Sequence, residues 1–295
     1  MGSFALSDIL QLLVPALTDG CVYAVVGLCF MIIYRTTHIL NFAQGEFVML
    51  GGILMITFTR FLPSSSILCF FLTVLSVALM GLLVERLGNR VFVRRNASLF
   101  VQSFATIGIS MIIQTIVLLA YGQDPMALKP FSGDSPILFL GAPILPQSLW
   151  VIGLALLMVL GIKIYFDFTK MGKAMRACAD SPLGALVVGI EKARMTQCSF
   201  ALGAAASAVI GVAVTPIYYT GYWTGTLFTV KGFIAAVLGG MYNPFGAVLG
   251  GIALGLLENL GAAFISSGYK DIISLSVLVA ILLFRRVQRP GMEAH

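Results

Sequence analysis

Two carboxylates interrupt stretches that are otherwise apolar, and their surroundings limit what they can do. Glu258, with Asn259 beside it, breaks the run from Phe245 to Phe264, and Glu46 opens the run from Phe47 to Phe61 just after Asn41 and Gln44. A carboxylate facing hydrocarbon is costly, so an ionisable group at such a place faces protein or a water-filled path and marks a functional site. For Glu46, near Arg35 and His38, the competing reading is a satisfied polar patch at a membrane edge. Lys231 stands at the mouth of a short apolar run and is the cation to set beside these groups. Asp271 opens the last run, where a carboxylate meets the positive end of a helix dipole and stabilises it.

Other chemistry is scarce. The two histidines, His38 and His295, and the five cysteines, Cys21, Cys29, Cys69, Cys178 and Cys198, show no metal-ligand spacing. Four of the cysteines lie in apolar runs as small core residues, so no disulfide, metal or cofactor is expected. Gly172-Lys173 lacks the upstream glycine of an ATP phosphate cradle, so the chain is not expected to hydrolyse ATP by itself. No histidine cluster or nucleophile with an adjacent base speaks for a membrane-embedded enzyme.

The elements that position these groups are membrane spans. Of 295 residues, 59% are hydrophobic and 10% charged, with a mean hydropathy of +1.00; soluble domains carry roughly 25% charged residues. This composition describes an all-α integral membrane protein, one domain over 1–295. Ile9 to Ile33 is too long for a signal-peptide core and lacks a basic region before it, so it reads as the first span.

The net charge of +6 is distributed as a topology signal, not as a nucleic-acid footprint. Arg86, Arg90, Arg94 and Arg95 form one basic group. Lys170, Lys173, Arg176, Lys192 and Arg194 form a second, and Arg285, Arg286 and Arg289 a third. The positive-inside rule sets all three in the cytoplasm. The N-terminus then lies outside, the C-terminus inside, and the proline- and glycine-rich segment of about 122–147 is an external loop. Thr196 to Tyr219 leaves the cytoplasm, and a short run from Phe228 to Gly240 returns. A break at Tyr242, Asn243 and Pro244 follows, where proline forbids a continuous helix. The total is about eight spans. Tyr218, Tyr219, Tyr222 and Trp223 read as an interfacial aromatic belt, with a docking site for an external protein as the alternative.

A weak internal echo links Gly45–Gly52 (GEFVMLGG) to Lys231–Gly240 (KGFIAAVLGG), each ending in a double glycine. The preceding spans run in opposite directions, so the halves form an inverted repeat with two short or broken helices. Such segments at matching places point to a translocation path, although glycine-rich close packing has the same look.

Between two spans lies a polar and basic island, Met171 to Arg194, within a cytoplasmic loop of about 167–195. Ser181 before Pro182 is an N-cap and first-turn signature that starts a short helix. Leu183, Leu186, Val187 and Ile190 then give an apolar stripe too short to span a bilayer. The stripe packs on the membrane or the chain's own helix ends, or it docks a soluble protein.

Three separated motifs resemble one family. NFAQGEFVMLGG (Asn41–Gly52), GKAMRACADSPLGALVVGI (Gly172–Ile190) and LGGMYNPFGAVLGG (Leu238–Gly251) look like the branched-chain amino acid permeases of bacterial ATP-binding cassette importers. The first is of the H-type half of an H/M permease pair, and the likeness runs from about Thr18 to Phe284. It implies a partnership with a second, M-type permease, two ATPase subunits and a periplasmic solute-binding protein, in an inner membrane. It also implies that the central loop couples to the ATPase. Ala185 and Gly189 match the family pattern Glu-Ala-Ala, three residues, Gly, while Leu183 stands where its glutamate would be. Arg176 and Asp180 match positions commonly basic and acidic, and orient the coupling helix with Ser181 and Pro182. Asn41, Gln44, Glu46, Lys231, Asn243, Glu258 and Asn259 are the expected pathway residues. Related systems carry leucine-type amino acids, urea, short amides or aromatic acids, and the sequence does not choose among them. A stand-alone secondary transporter is the competing class, and its central loop would have no purpose.

Overall fold

The computed structural model describes residues 6–63, 65–133, 135–264 and 266–287; His295 and Arg289 lie outside these. Helix α1 (Leu6–Thr37) has 32 residues, which at about 1.5 Å each reach beyond the roughly 30 Å hydrocarbon core. It is apolar on every side and 94% of its most apolar window is buried, so it lies at the centre of the bundle. It stops where His38 adopts φ 61°, a left-handed conformation that breaks the helix. The Asn41 side chain then accepts the Ala43 N–H (3.2 Å) and turns the chain into α2 (Gln44–Phe61).

Helix α3 (Ser66–Val84) continues through a π-helical turn at Glu85–Asn89 into α4 (Arg90–Arg94). Ser98 accepts the Val101 N–H to cap α5 (Leu99–Tyr121). The segment expected to be an external loop holds an antiparallel pair, β1 (Ile137–Phe139) and β2 (Ala142–Ile144). Its last two expected residues, Pro146 and Gln147, already belong to α6 (Pro146–Phe168), because proline suits a first turn. Helices α7 (Lys170–Asp180) and α8 (Pro182–Val187) follow, so the central island is mostly helical, with α7 an addition to the short helix expected at Ser181-Pro182. The chain finishes with α9 (Lys192–Tyr218), α10 (Thr224–Gly239), α11 (Pro244–Phe264) and α12 (Lys270–Val287).

Among the described residues six helices are long and apolar enough to cross a membrane, and α10 is a shorter apolar one. These helices do not by themselves confirm a count of about eight spans. Helices α2 and α10, with 18 and 16 residues, fall short of a roughly 30 Å core at about 1.5 Å per residue.

The halves interlock. Helix α1 packs along α10 and α11 of the other half, α9 packs along α2 and α3, and the pairs α1–α9 and α2–α10 meet at the centre. Glycine allows the closest of these contacts: a Cβ on Gly251 would overlap the backbone of Ala24, so α1 and α11 touch main chain to main chain. The double-glycine alignment does not match the helix ends. Both short helices begin after a turn, at Gln44-Gly45 and Thr224-Gly225. Gly51 instead packs on Ala208 of α9, and Gly239 on Gly246 of α11. Double glycines mark close approaches here, not equivalent helix ends.

Candidate functional site

The short helices start inside the bundle. Gln44 donates to the Gly203 carbonyl (3.1 Å) and to Ser207 (2.7 Å), residues that each lie eleven positions from the nearer end of α9. The Gly45 N–H donates to Thr229 of α10 (3.0 Å), and Asn41 donates to Gln44 (3.3 Å). A Cβ on Gly45 would strike the Gly225 carbonyl, so the N-termini of α2 and α10 touch beside the middle of α9. Their free N–H groups and dipoles give this junction a positive field.

Glu46 fills that field. It is fully buried, and its carboxylate lies so close to Gly225 that a Cβ there would overlap it. Its Oε1 accepts from Ser110 (2.8 Å) and Gln114 (2.7 Å) of α5, and Gln114 also donates to Thr226 of α10 (2.6 Å). Oε2 has no hydrogen-bond partner. Since Thr226 is exposed and Gln114 half-buried, the carboxylate sits one side chain below the groove between α5 and α10. Its expected neighbours lie elsewhere: Arg35 pairs with Asp180 (3.3 Å), and the His38 ring meets Tyr34 edge-on.

A second polar group surrounds Glu258, also fully buried. It accepts from Tyr23 (2.8 Å), Lys231 (3.3 Å) and Ser274. Lys231 reaches Asp271 as well (3.2 Å). It occupies the middle of α10, not its mouth, because the helix begins at Thr224 and not near Phe228. Asp271 stands in the first turn of α12 as expected and gains Lys231 as a partner. Asn259 donates to Asp19 (2.8 Å), which also accepts from Lys270 (3.4 Å) and Tyr218. The network ties α1, α9, α10, α11 and α12 together. Asn243 has no part in it: its side chain accepts the Phe245 N–H (3.1 Å) and starts α11, in a turn whose Tyr242 meets Tyr34 edge-on.

The central island is built around corners. Thr169 accepts the Gly172 N–H (3.0 Å) to cap α7, and Gly172 packs on the Tyr165 carbonyl too closely for a Cβ. That glycine serves the corner after α6. Arg176 pairs with Asp167 (2.6 Å) and Asp180 with Arg35 (3.3 Å), anchoring α7 to α6 and α1. Ser181 accepts the Gly184 N–H (3.2 Å) and Pro182 begins α8, as its sequence predicts. The Ile190 N–H bonds the Ala185 carbonyl (2.9 Å) and the Gly189 N–H bonds Leu186 (3.0 Å), with Gly189 at φ 81°. This is a Schellman ending, which explains the Ala-to-Gly spacing. Ala185 is buried, while Leu183, Leu186 and Val187 are 79%, 66% and 87% exposed.

Several of these partners were not singled out from the sequence. Asp19 interrupts an apolar run as Glu258 does, and the same rule finds it. Ser110, Gln114, Thr226 and Ser274 carry no such signal, since single hydroxyl and amide side chains are ordinary within spans.

A family model described as branched-chain amino acid transport system / permease component matches residues 12–282. The high-affinity branched-chain amino acid transport system permease protein LivH of Salmonella typhimurium is 30% identical over 93% of this chain and 92% of its own. The corresponding BraD of Pseudomonas aeruginosa is 29% identical over 94% of each. A probable LivH of Methanocaldococcus jannaschii is 27% identical over 85% of this chain and 82% of its own.

Proposed function

The chain belongs to the branched-chain amino acid transport permease family, and from that premise we propose that it forms half of the translocation path of an ATP-binding cassette importer for branched-chain or related amino acids. An M-type permease supplies the other half, two ATPase subunits supply the energy, and an external binding protein delivers the substrate. The basic segments face the cytoplasm and the N-terminus lies outside.

One observation carries the reading. Helix α8 is a closed unit, capped at Ser181 and ended at Gly189, yet it turns Leu183, Leu186 and Val187 outward. Helix α7 holds it to α1 and α6 through two ion pairs. A rigid apolar knob on an anchored lever suits docking in an ATPase groove. In the path, the Glu46–Gln114–Thr226 group sets a buried carboxylate directly beneath the groove between α5 and α10, while Lys231 and Glu258 hold the helices that frame it.

The test is purification of the tagged chain from its native membrane in mild detergent. Co-purification of an ATPase and a second permease, with Leu186→Asp losing the ATPase alone, supports the proposal. A chain that purifies alone and moves solute in liposomes without ATP overturns it. Uptake of labelled leucine against competing urea or short amides then identifies the cargo.

A further inference from the structure

A cavity of about 320 Å³ lies between α1, α6, α7 and α11, within the size of a small-molecule site. It is separate from the Glu46 junction: neither α5 nor Thr226 of α10 lines it. Its walls are apolar, with Ile32, Val159, Ile162 and Val248 among them, and Met175 of α7 is part of the roof. Its rim is cationic, carrying Arg35, Lys163 and Arg176 against Asp167. Arg35 and Arg176 are paired with Asp180 and Asp167. Lys163 lies over the Phe245 ring (5.1 Å), and among the described residues no carboxylate pairs with it. The flanking Leu160, Ile164 and Leu249 are all more than half exposed, so the cavity opens sideways onto the apolar face of the bundle, at the depth where α1 and α6 reach the basic segments.

An apolar chamber open to the bilayer and rimmed by an excess of cations fits an anionic amphiphile better than a polar solute. We infer that this chamber binds an anionic phospholipid of the surrounding membrane, one acyl chain inside and the phosphate between Lys163 and Arg176. The lipid then wedges α7 against α1, α6 and α11, and the position of α7 depends on the anionic lipid content of the leaflet.

The test uses the whole transporter in phosphatidylcholine nanodiscs doped with a photoactivatable phosphatidylglycerol or phosphatidylcholine analogue, followed by peptide mapping. The phosphatidylglycerol analogue is expected to label α6 and α11 around Ile162 and Val248. Lys163→Gln should cut that labelling about fivefold, the weight of one juxtamembrane cation. Val248→Phe should block it, while Val248→Ala, which keeps the space open, should not. Equal labelling by both analogues with no effect of Lys163→Gln overturns the inference and leaves ordinary boundary lipid. Cross-linking of a Val248→Cys variant to the partner permease, in place of lipid labelling, also overturns it by showing that protein fills the chamber. Labelling reports on the chamber whether or not α8 carries the ATPase.

Discussion

The buried network around Glu258 and the exposed face of α8 solve opposite problems with similar means. Around Glu258 every charged group is spent on another within the chain: Lys231 is shared by Glu258 and Asp271, and Asp19 by Lys270, Asn259 and Tyr218. On α8 the chain satisfies the backbone, through Ser181 and Gly189, and leaves Leu183, Leu186 and Val187 without a surface. One region is complete within the chain and the other is open, as the proposed docking of α8 requires. Substitutions should therefore cost stability in the first and function alone in the second.

The largest expected effect is at Glu258. Glu258→Ala takes the acceptor from Tyr23 and Ser274 and leaves Lys231 only Asp271, and removing one member of a buried pair costs up to about 3–5 kcal/mol. Thermal melting in detergent should show that loss, and Lys231→Met/Glu258→Met should recover most of it. If the double variant is no better than the single, the pair is not what holds α10 to α11. Glu258→Gln keeps oxygen and hydrogen-bonding capacity for Tyr23 and Ser274 and leaves Lys231 with Asp271, so uptake should fall more than assembly.

Next is the contact between α1 and α11. Gly251→Val forces two backbones apart, for about 1–3 kcal/mol, and the melt should shift with no change in ATPase binding by the protein that remains folded.

The third effect belongs to the docking side. Around Gly189 there is open space within the chain, so Gly189→Ala is strained by its left-handed backbone, costing about 1–2 kcal/mol locally. Uptake should drop while the melt, set by the buried bundle, moves little. A full loss of membrane insertion would erase the contrast between the regions. Smallest in stability is Leu186→Asp, an exposed position where changes stay within about 0.5 kcal/mol. There the ATPase co-purification should fail with the melt unchanged.

How much of this was legible beforehand follows from the range over which each signal acts. Ser181-Pro182 and Gly189 act on their own turn of chain, so the start and end of α8 can be read from neighbours. Glu258 and Glu46 stand out because an apolar run cannot leave a carboxylate unanswered. Their answers, Tyr23 and Ser274 or Ser110 and Gln114, are set by helix packing across the chain, and nothing local to those residues announces it. Lys231 was misplaced because Phe228 looked like the start of an apolar run, whereas the helix begins earlier, at Thr224, where Gly225 lets it approach Glu46. Helix α7 is masked in the sequence by the charges of Lys170, Lys173, Arg176 and Asp180, which give the island between α6 and α9 the composition of a polar loop.

The exchange of helices between halves has a consequence for how the protein is made. Tyr23 and Glu258 are 235 residues apart in sequence, and at about 5–20 residues per second the ribosome needs roughly 12–47 s to close that interval. Through it α1 waits in the bilayer with Asp19 facing no Lys270 and its glycine-contact surface bare. The most buried helix of the finished bundle is thus the one exposed longest during synthesis, and it is there that a membrane-embedded chaperone or quality-control protease would find a slow-assembling variant.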